Sequence, residues 1–103
     1  MKKIIEGKSY DTATAIKICE LTCRYYPSDF GYHETHLYRT KRGAFFLAGE
    51  GNAASMWASS YGNTRGPGSG LRVVDQDRAM QYAEAADLDE SEMLAAGFEV
   101  DEA

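Results

Sequence analysis

Two thiols and two imidazoles are the side chains of this sequence best suited to bind a metal ion. They are Cys19, Cys23, His33 and His36, in the spacing C-x3-C-x9-H-x2-H. Thiolates and imidazoles are the usual ligands of zinc, but this spacing departs from that of zinc fingers. The two histidines also fall on a predicted strand, where residues three apart point to opposite faces. We therefore expect no metal site and no cofactor.

Hydroxyl nucleophiles and a glycine pair are the next candidates for chemistry. Ser55, Ser59 or a cysteine can be combined with one of the two histidines, but no nucleophile elbow or cysteine-protease signature surrounds them. The GEG step at Gly49–Gly51 lacks both phosphate-binding patterns, GxxxxGK[ST] and GxGxxG, and we interpret it as a strand-to-helix turn. We expect no catalytic residue. If the chain is an enzyme after all, Cys23 and His33 are the first residues to test.

Carboxylates are crowded into the last third of the chain. The net charge is -5, yet from residue 75 onward ten Asp and Glu residues stand against one basic residue, Arg78. If helices carry these carboxylates, they form a fixed array that imitates a row of phosphates and attracts a groove lined with Lys and Arg. A solvated acidic face is the alternative interpretation. The carboxylates predicted to bind a partner are Asp75, Asp77, Glu84, Asp87, Asp89, Glu90 and Glu92.

A basic patch at Arg39, Lys41 and Arg42 has Tyr38 and Phe45 beside it. Small nucleic-acid binders combine such charges with aromatic side chains. Here the charges are few, and the sequence pI of about 4.9 opposes approach to a phosphate backbone. We interpret the patch as the solvated tip of a hairpin that can touch an acidic protein surface, and we expect no direct binding of nucleic acid.

The elements that must position these residues begin with a strand and a helix. Lys2–Ile5 is predicted to be a strand that runs into a turn at Gly7, from which a second strand can return. In TATAIKICELTC the apolar positions recur at three and four residues, the spacing of one helical face. This spacing predicts a helix that ends before Pro27 and buries Cys19 and Cys23 one turn apart.

The middle of the chain is predicted to be a hairpin followed by a second helix. Aromatic and β-branched residues over Phe30–Thr40 and Ala44–Ala48 favour two strands. TKRG joins them tightly, with Gly43 at the positive φ that a short loop demands. Asn52 is predicted to cap a helix over Ala53–Tyr61 that buries an inward stripe of side chains.

The remaining residues are predicted to form a loop, a strand and two helices. Four glycines and a proline within Gly62–Gly70 predict a mobile loop. Leu71–Val74 is a brief strand, Asp75 caps a helix that runs to about Asp87, and DESEMLAAGF is a last short helix ended by Gly97. The predicted order is β-α-β-β-α-β-α-α.

This order predicts a small single α+β domain over residues 1–103, with a central antiparallel hairpin or three- to four-stranded sheet and helices packed on one side. Its acidic helical part is residues 75–103. A chain of 103 residues with 44% hydrophobic content can bury one modest core. No apolar run approaches the about 20 residues of a membrane span, and MKKII lacks the features of a signal peptide. We therefore expect a cytoplasmic protein with reduced thiols and no membrane contact.

The motifs KKIIEGKSYDTATA, ETHLYRTKRGAFFLAGEGNAAS and LRVV, followed by a charged helix, resemble a group of small proteins from bacterial phages and integrative elements. LYRTKRGAFFLAGEG is the most specific part of the likeness. Asn52 stands where the group has the last glycine of GEGG. Some proteins of this kind are considered anti-CRISPR proteins, small inhibitors that bind an effector of bacterial immunity.

The resemblance and the acidic region together favour a non-enzymatic inhibitor encoded by a mobile element. It is expected to bind a CRISPR-Cas effector protein or complex and to block its basic nucleic-acid-binding groove, because such effectors hold nucleic acid in a positively charged channel. The alternative is a non-inhibitory interaction module or adaptor of a phage or integrative element, which contacts a protein through the aromatic hairpin at Tyr38, Phe45 and Phe46. The type of effector and the oligomeric state stay open.

Overall fold

The computed structural model describes residues 1–102. Within them it has eight strands and two helices, all strand pairs being antiparallel. The elements are β1 (Lys2–Ile5), β2 (Lys8–Asp11), β3 (Ile16–Glu20), β4 (His33–Arg39), β5 (Phe45–Gly51), β6 (Ser59–Tyr61), β7 (Thr64–Gly66), β8 (Gly68–Val74), α1 (Gln76–Ala85) and α2 (Glu90–Ala95). The predicted α+β class is confirmed, although the order of elements differs.

The central sheet has four strands in the order β3-β4-β5-β8. Its middle is the predicted hairpin, in which Leu37 pairs with Leu47 and Tyr38 with Phe46. Gly43 has a φ of 90°, the left-handed conformation predicted for the tight connection between β4 and β5. The strand content and the turn residue of this segment are therefore confirmed.

Alternating side chains of the central sheet supply two separate cores, one on each face. Leu37, Phe45 and Leu47 pack with helical residues that include Ala79 and Met93. On the other face, Tyr38, Phe46, Ala48 and Leu71 pack with Tyr10 of β2. The helices thus lie on one side of the sheet, as predicted. The β1-β2 hairpin, which turns at Glu6 and Gly7 as predicted, covers the other side.

The predicted helix between Asp11 and Pro27 is wrong, because residues 16–20 form β3. Ile16 and Ile18 are β-branched and suit a strand. The segment pairs with β4 from Ile16 opposite Arg39 to Glu20 opposite His36, with an irregularity between Lys17 and Cys19. Cys19 and Cys23 are consequently not one helical turn apart. Cys19 lies on β3, whereas Cys23 lies in the loop that follows.

The predicted helix over Ala53–Tyr61 and the predicted loop over Gly62–Gly70 are also wrong. Turns precede the small β6-β7 hairpin, and β8 begins at Gly68. A Cβ atom at Gly68 would clash with the backbone oxygen of Trp57. Glycine at this position therefore allows the 52–58 segment to lie against β8.

The two C-terminal helices begin and end as predicted to within two residues. Asp75 is the N-cap of α1, and Asp89 and Glu92 form a capping box at α2. Gly97, with a φ of 91°, follows the end of α2. Among the described residues, neither helix has the length and apolar character needed to cross a membrane.

Candidate functional site

The carboxylates predicted to bind a partner all lie on or beside the two helices, and all of them are exposed. α1 and α2 carry four of them, and the N-caps and the connection between the helices carry the other three. We call this set the acidic helical surface: Asp75, Asp77, Glu84, Asp87, Asp89, Glu90 and Glu92.

Asp77 and Glu84 follow one line along the exposed side of α1. Seven residues make nearly two turns, so the two side chains leave the helix within about 20° of each other and about 10 Å apart along the axis. Ala79 and Ala83 are fully buried and lie on the side that packs on the sheet. The buried alanines therefore fix the direction in which the two carboxylates project.

Three other carboxylates of the acidic helical surface cap their own helices. Oδ1 of Asp75 accepts a hydrogen bond from the backbone N–H of Arg78 at 2.7 Å. Oδ1 of Asp89 accepts from the N–H of Glu92 at 2.8 Å, and Oε1 of Glu92 accepts from the N–H of Asp89 at 3.2 Å. These bonds satisfy N–H groups that a helix start leaves unpaired. They also hold three negative charges at defined positions.

The carboxylates near α2 diverge. Glu90 and Glu92 are two residues apart, so they leave the helix about 160° apart and do not share one side. Asp87 has a φ of 58° in the connection between the helices. The acidic helical surface is therefore not one flat array, and Asp77 with Glu84 is the pair that shares a direction on one helix.

Glu84 is unfavourably placed for the stability of α1. It lies in the last turn, where the carbonyl end of a helix carries partial negative charge. The described residues of this turn include no basic side chain to balance it. A carboxylate there destabilises a helix by a few tenths of a kcal/mol to about 1 kcal/mol. Fold stability does not account for the glutamate.

A second surface is formed by aromatic side chains in the loop between β3 and β4. We call residues 24–32 the aromatic loop. Tyr26 and Phe30 are 78% and 76% exposed, and Tyr25 is 42% exposed. Arg24 lies over the Tyr25 ring at 5.2 Å and donates a hydrogen bond to the Tyr25 hydroxyl, which raises the pKa of the guanidinium. Large aromatic groups so exposed are typical of protein-binding sites.

Asn52 fastens the aromatic loop to the segment after β5. Its side-chain Nδ2 donates to the backbone oxygens of Pro27 at 3.0 Å and Asp29 at 2.8 Å. Its backbone N–H donates to the oxygen of Tyr32, and the N–H of Ala54 donates to the oxygen of Phe30. The loop is therefore held by four hydrogen bonds, two of them from one amide side chain.

The hairpin aromatics predicted as the alternative contact surface are buried. Phe46 is completely inaccessible, and Phe45 and Tyr38 are buried as well. Phe46 stacks on Tyr38 with ring centroids 5.1 Å apart, and Phe45 stacks on Phe98 at 5.0 Å. Phe45 belongs to the core beneath the helices, and Tyr38 and Phe46 belong to the core beneath the β1-β2 hairpin. These side chains cannot reach a partner in the folded chain, so the predicted surface is corrected to the aromatic loop.

The side chains considered for metal binding and catalysis are dispersed. Cys19 and Cys23 are free and half-buried, and burial raises the pKa of the Cys19 thiol. Nδ1 of His33 lies 2.9 Å from the hydroxyl of Thr35, and the Ser55 hydroxyl donates to the backbone oxygen of Asn52. Within residues 1–102, no three His, Cys, Asp or Glu side chains come close enough to share a metal ion.

The predicted strand-to-helix turn at Gly49–Gly51 is wrong. These residues belong to β5, which is paired on both edges, with β4 and with β8. No helix begins at this point, so the backbone N–H groups of the GEG step serve the sheet.

The aromatic loop is the surface that the sequence analysis missed. Its signal was present in YYPSDFGY, where aromatic residues flank a proline and an aspartate. Phe30 lies in this loop, because the strand predicted over Phe30–Thr40 begins only at His33.

No protein-family model, no curated protein and no solved structure matches this chain.

Proposed function

We propose that this protein is an inhibitor encoded by a mobile element, which binds a CRISPR-Cas effector and occupies its nucleic-acid-binding groove with the acidic helical surface. The choice of an effector as the partner rests on the sequence resemblance and on the positively charged channel that such effectors present. The observation that carries the proposal is the exposed line of Asp77 and Glu84 on α1, flanked by carboxylates fixed at the helix caps.

The spacing and the placement of these charges support the proposal. The rise of about 10 Å between Asp77 and Glu84 along α1 places two carboxylates on one side of the helix, where neighbouring cations of one groove can pair with them. Glu84 lies where helix electrostatics disfavours a carboxylate. A charge that lowers the stability of its own helix suits a binding role, because functional sites often cost stability.

The proposed mechanism has two stages. The net charge of -5, concentrated at the helical end, speeds encounter with a basic surface in a salt-dependent manner. The carboxylates then pair with Lys and Arg side chains that otherwise contact phosphates, and the capped helices add little ordering entropy to the cost of binding. Nucleic acid is excluded because the two ligands compete for the same cations.

The test is binding of charge-reversed variants to a panel of purified, guide-loaded effectors of different types. Asp77→Lys with Glu84→Lys is expected to abolish binding and to remove most of its salt dependence. The matched control is Glu20→Lys with Glu50→Lys, which changes the net charge equally at exposed positions of the sheet. Glu84→Lys alone is expected to raise helix stability while weakening binding. Equal affinity of the two double variants, or no binding to any effector, contradicts the proposal.

A second candidate function is a protein-binding module that uses the aromatic loop. It is favoured by the exposure of Tyr26 and Phe30 on a loop that hydrogen bonds hold in place. Aromatic side chains of this kind dominate binding energy at protein interfaces. Tyr26→Ser with Phe30→Ser is then expected to abolish binding that persists at high salt, and Tyr61→Ser, also exposed, is the control. Unchanged binding by the loop variant excludes this function.

A further inference from the structure

A basic cleft lies between the N-terminal hairpin and the tip of the β4-β5 hairpin. Its volume is about 680 Å³, within the range of cavities that hold small ligands. β1 and β2 form one wall, and the turn after β4 forms the other. The β1-β2 hairpin packs on the face of the sheet opposite the helices, so the cleft is built from different elements than the acidic helical surface.

The charge of this cleft is opposite to that of the whole chain. Its lining includes one carboxylate, Asp11, whose Oδ1 accepts a hydrogen bond from the backbone N–H of Ala13 at 2.9 Å. The cations that line it are Lys2, Lys8, Lys41 and Arg42. In a protein of net charge -5, four cations around one cavity are a local concentration that attracts anions.

The walls of the basic cleft add polar and aromatic groups in fixed positions. Oγ1 of Thr40 accepts from the backbone N–H of Ala44 at 3.0 Å, which leaves the hydroxyl proton for a ligand. Tyr10 is 6% exposed and lines the cleft, and its ring packs edge-on against Phe46 with centroids 5.6 Å apart. The cleft therefore has a buried floor that supports several cations, and these cations suit the phosphates of a ligand.

We propose that the basic cleft binds a phosphorylated ligand of nucleotide size. Lys2, Lys8, Lys41 and Arg42 hold the phosphates, and the Thr40 hydroxyl donates a further hydrogen bond. The same phosphate chemistry is presented by a free nucleotide and by the terminal nucleotide of a strand. The site is independent of effector binding by the acidic helical surface.

Calorimetric titration of the full chain at low salt tests this site. The ligands are ATP, adenosine and a short 5′-phosphorylated single-stranded oligonucleotide. ATP is expected to bind, whereas adenosine, which has no phosphate, is expected not to bind. Lys8→Glu with Arg42→Glu is expected to weaken ATP binding at least about tenfold, since charge-assisted hydrogen bonds to phosphate are lost. The matched control, Lys17→Glu with Arg65→Glu, alters exposed cations outside the cleft and is expected to retain binding.

The outcomes separate the ligand sources. Tighter binding of ATP than of the oligonucleotide identifies a free nucleotide, and the reverse identifies a strand terminus. The proposal is overturned if neither ATP nor the oligonucleotide binds, or if adenosine binds as tightly as ATP. It is also overturned if the cleft variant and the control variant lose the same affinity for ATP. Should the charge reversals disturb folding, as judged by circular dichroism, Lys8→Gln with Arg42→Gln removes the same charges without introducing new ones.

Discussion

Replacing Asn52 is expected to loosen the aromatic loop without unfolding the sheet. Asn52→Ala removes the two hydrogen bonds from Nδ2 to the backbone oxygens of Pro27 and Asp29, at 3.0 and 2.8 Å. A hydrogen bond contributes about 0.5–1.5 kcal/mol net. Two such bonds contribute about 1–3 kcal/mol, and because the exposed loop can bond to water instead, we expect a combined loss in the lower half of this range, about 1–2 kcal/mol. This loss corresponds to a loop-opening equilibrium about 5–30 times larger.

Hydrogen exchange of individual amides, followed by NMR, measures this change directly. The informative amides are those of Tyr32, which donates to Asp29, and Ala54, which donates to Phe30. Both are expected to exchange about 5–30 times faster in Asn52→Ala, whereas the amides of β5 keep their rates. Asn52→Asp, which keeps the size but places a carboxylate against two carbonyl oxygens, is expected to have a larger effect.

Asn63→Asp provides the same chemical change at an exposed turn of the β6-β7 hairpin, and is expected to leave the aromatic loop unaltered. Unchanged exchange at Tyr32 and Ala54 in both Asn52 variants refutes the role given to this side chain. It also removes the argument that the aromatic loop is held ready for a partner.

Three further predictions concern stability and titration. The indole N–H of Trp57 donates to the buried Thr35 hydroxyl at 2.7 Å, and Thr35→Val leaves it without a partner. Urea denaturation is expected to show a free energy of unfolding lower by about 1–3 kcal/mol, and an unchanged value would contradict this. The hydrogen bond from the Tyr32 hydroxyl to Glu34 raises the pKa of Tyr32 to about 12, and Glu34→Gln is expected to return it toward 10.0, as read from NMR of the ring carbon. Since the pKa is raised, the stabilisation is present below pH 10.0 and is lost as the pH rises through about 12; an unshifted titration in the variant excludes this cause. Asp89→Ala removes the capping box of α2 and is expected to lower the free energy of unfolding by about 0.5–2 kcal/mol in thermal denaturation, whereas an unchanged midpoint would show that the cap is dispensable.

The elements predicted correctly are those that local chemistry determines. The β4-β5 hairpin combines alternating aromatic and β-branched residues with Gly43 at the turn, and each feature favours the same structure. The C-terminal helices have Asp75 and Asp89 at their starts, where a carboxylate satisfies unpaired N–H groups. The positions of the predicted carboxylates on helices followed from these caps.

The elements predicted wrongly depend on contacts between distant residues. The apolar positions around Ile16 and Ile18 fit both a helix and a strand, and pairing with β4 decides between them. The glycines of β8 allow Trp57 to approach closely. This contact joins residues about ten positions apart, so no local sequence pattern predicts it. The basic cleft escaped prediction for the same reason, because Lys2 and Lys8 approach the hairpin tip only in the folded chain.

The proposed function requires the helical carboxylates to contact the effector. Carbodiimide labelling of carboxyl groups, read by mass spectrometry with and without a bound guide-loaded effector, measures the contact residue by residue. We predict that Asp77 and Glu84 become strongly protected in the complex while Glu20 and Glu50 are labelled as in the free protein. Undiminished labelling of Asp77 and Glu84 in a complex that has formed would contradict the account.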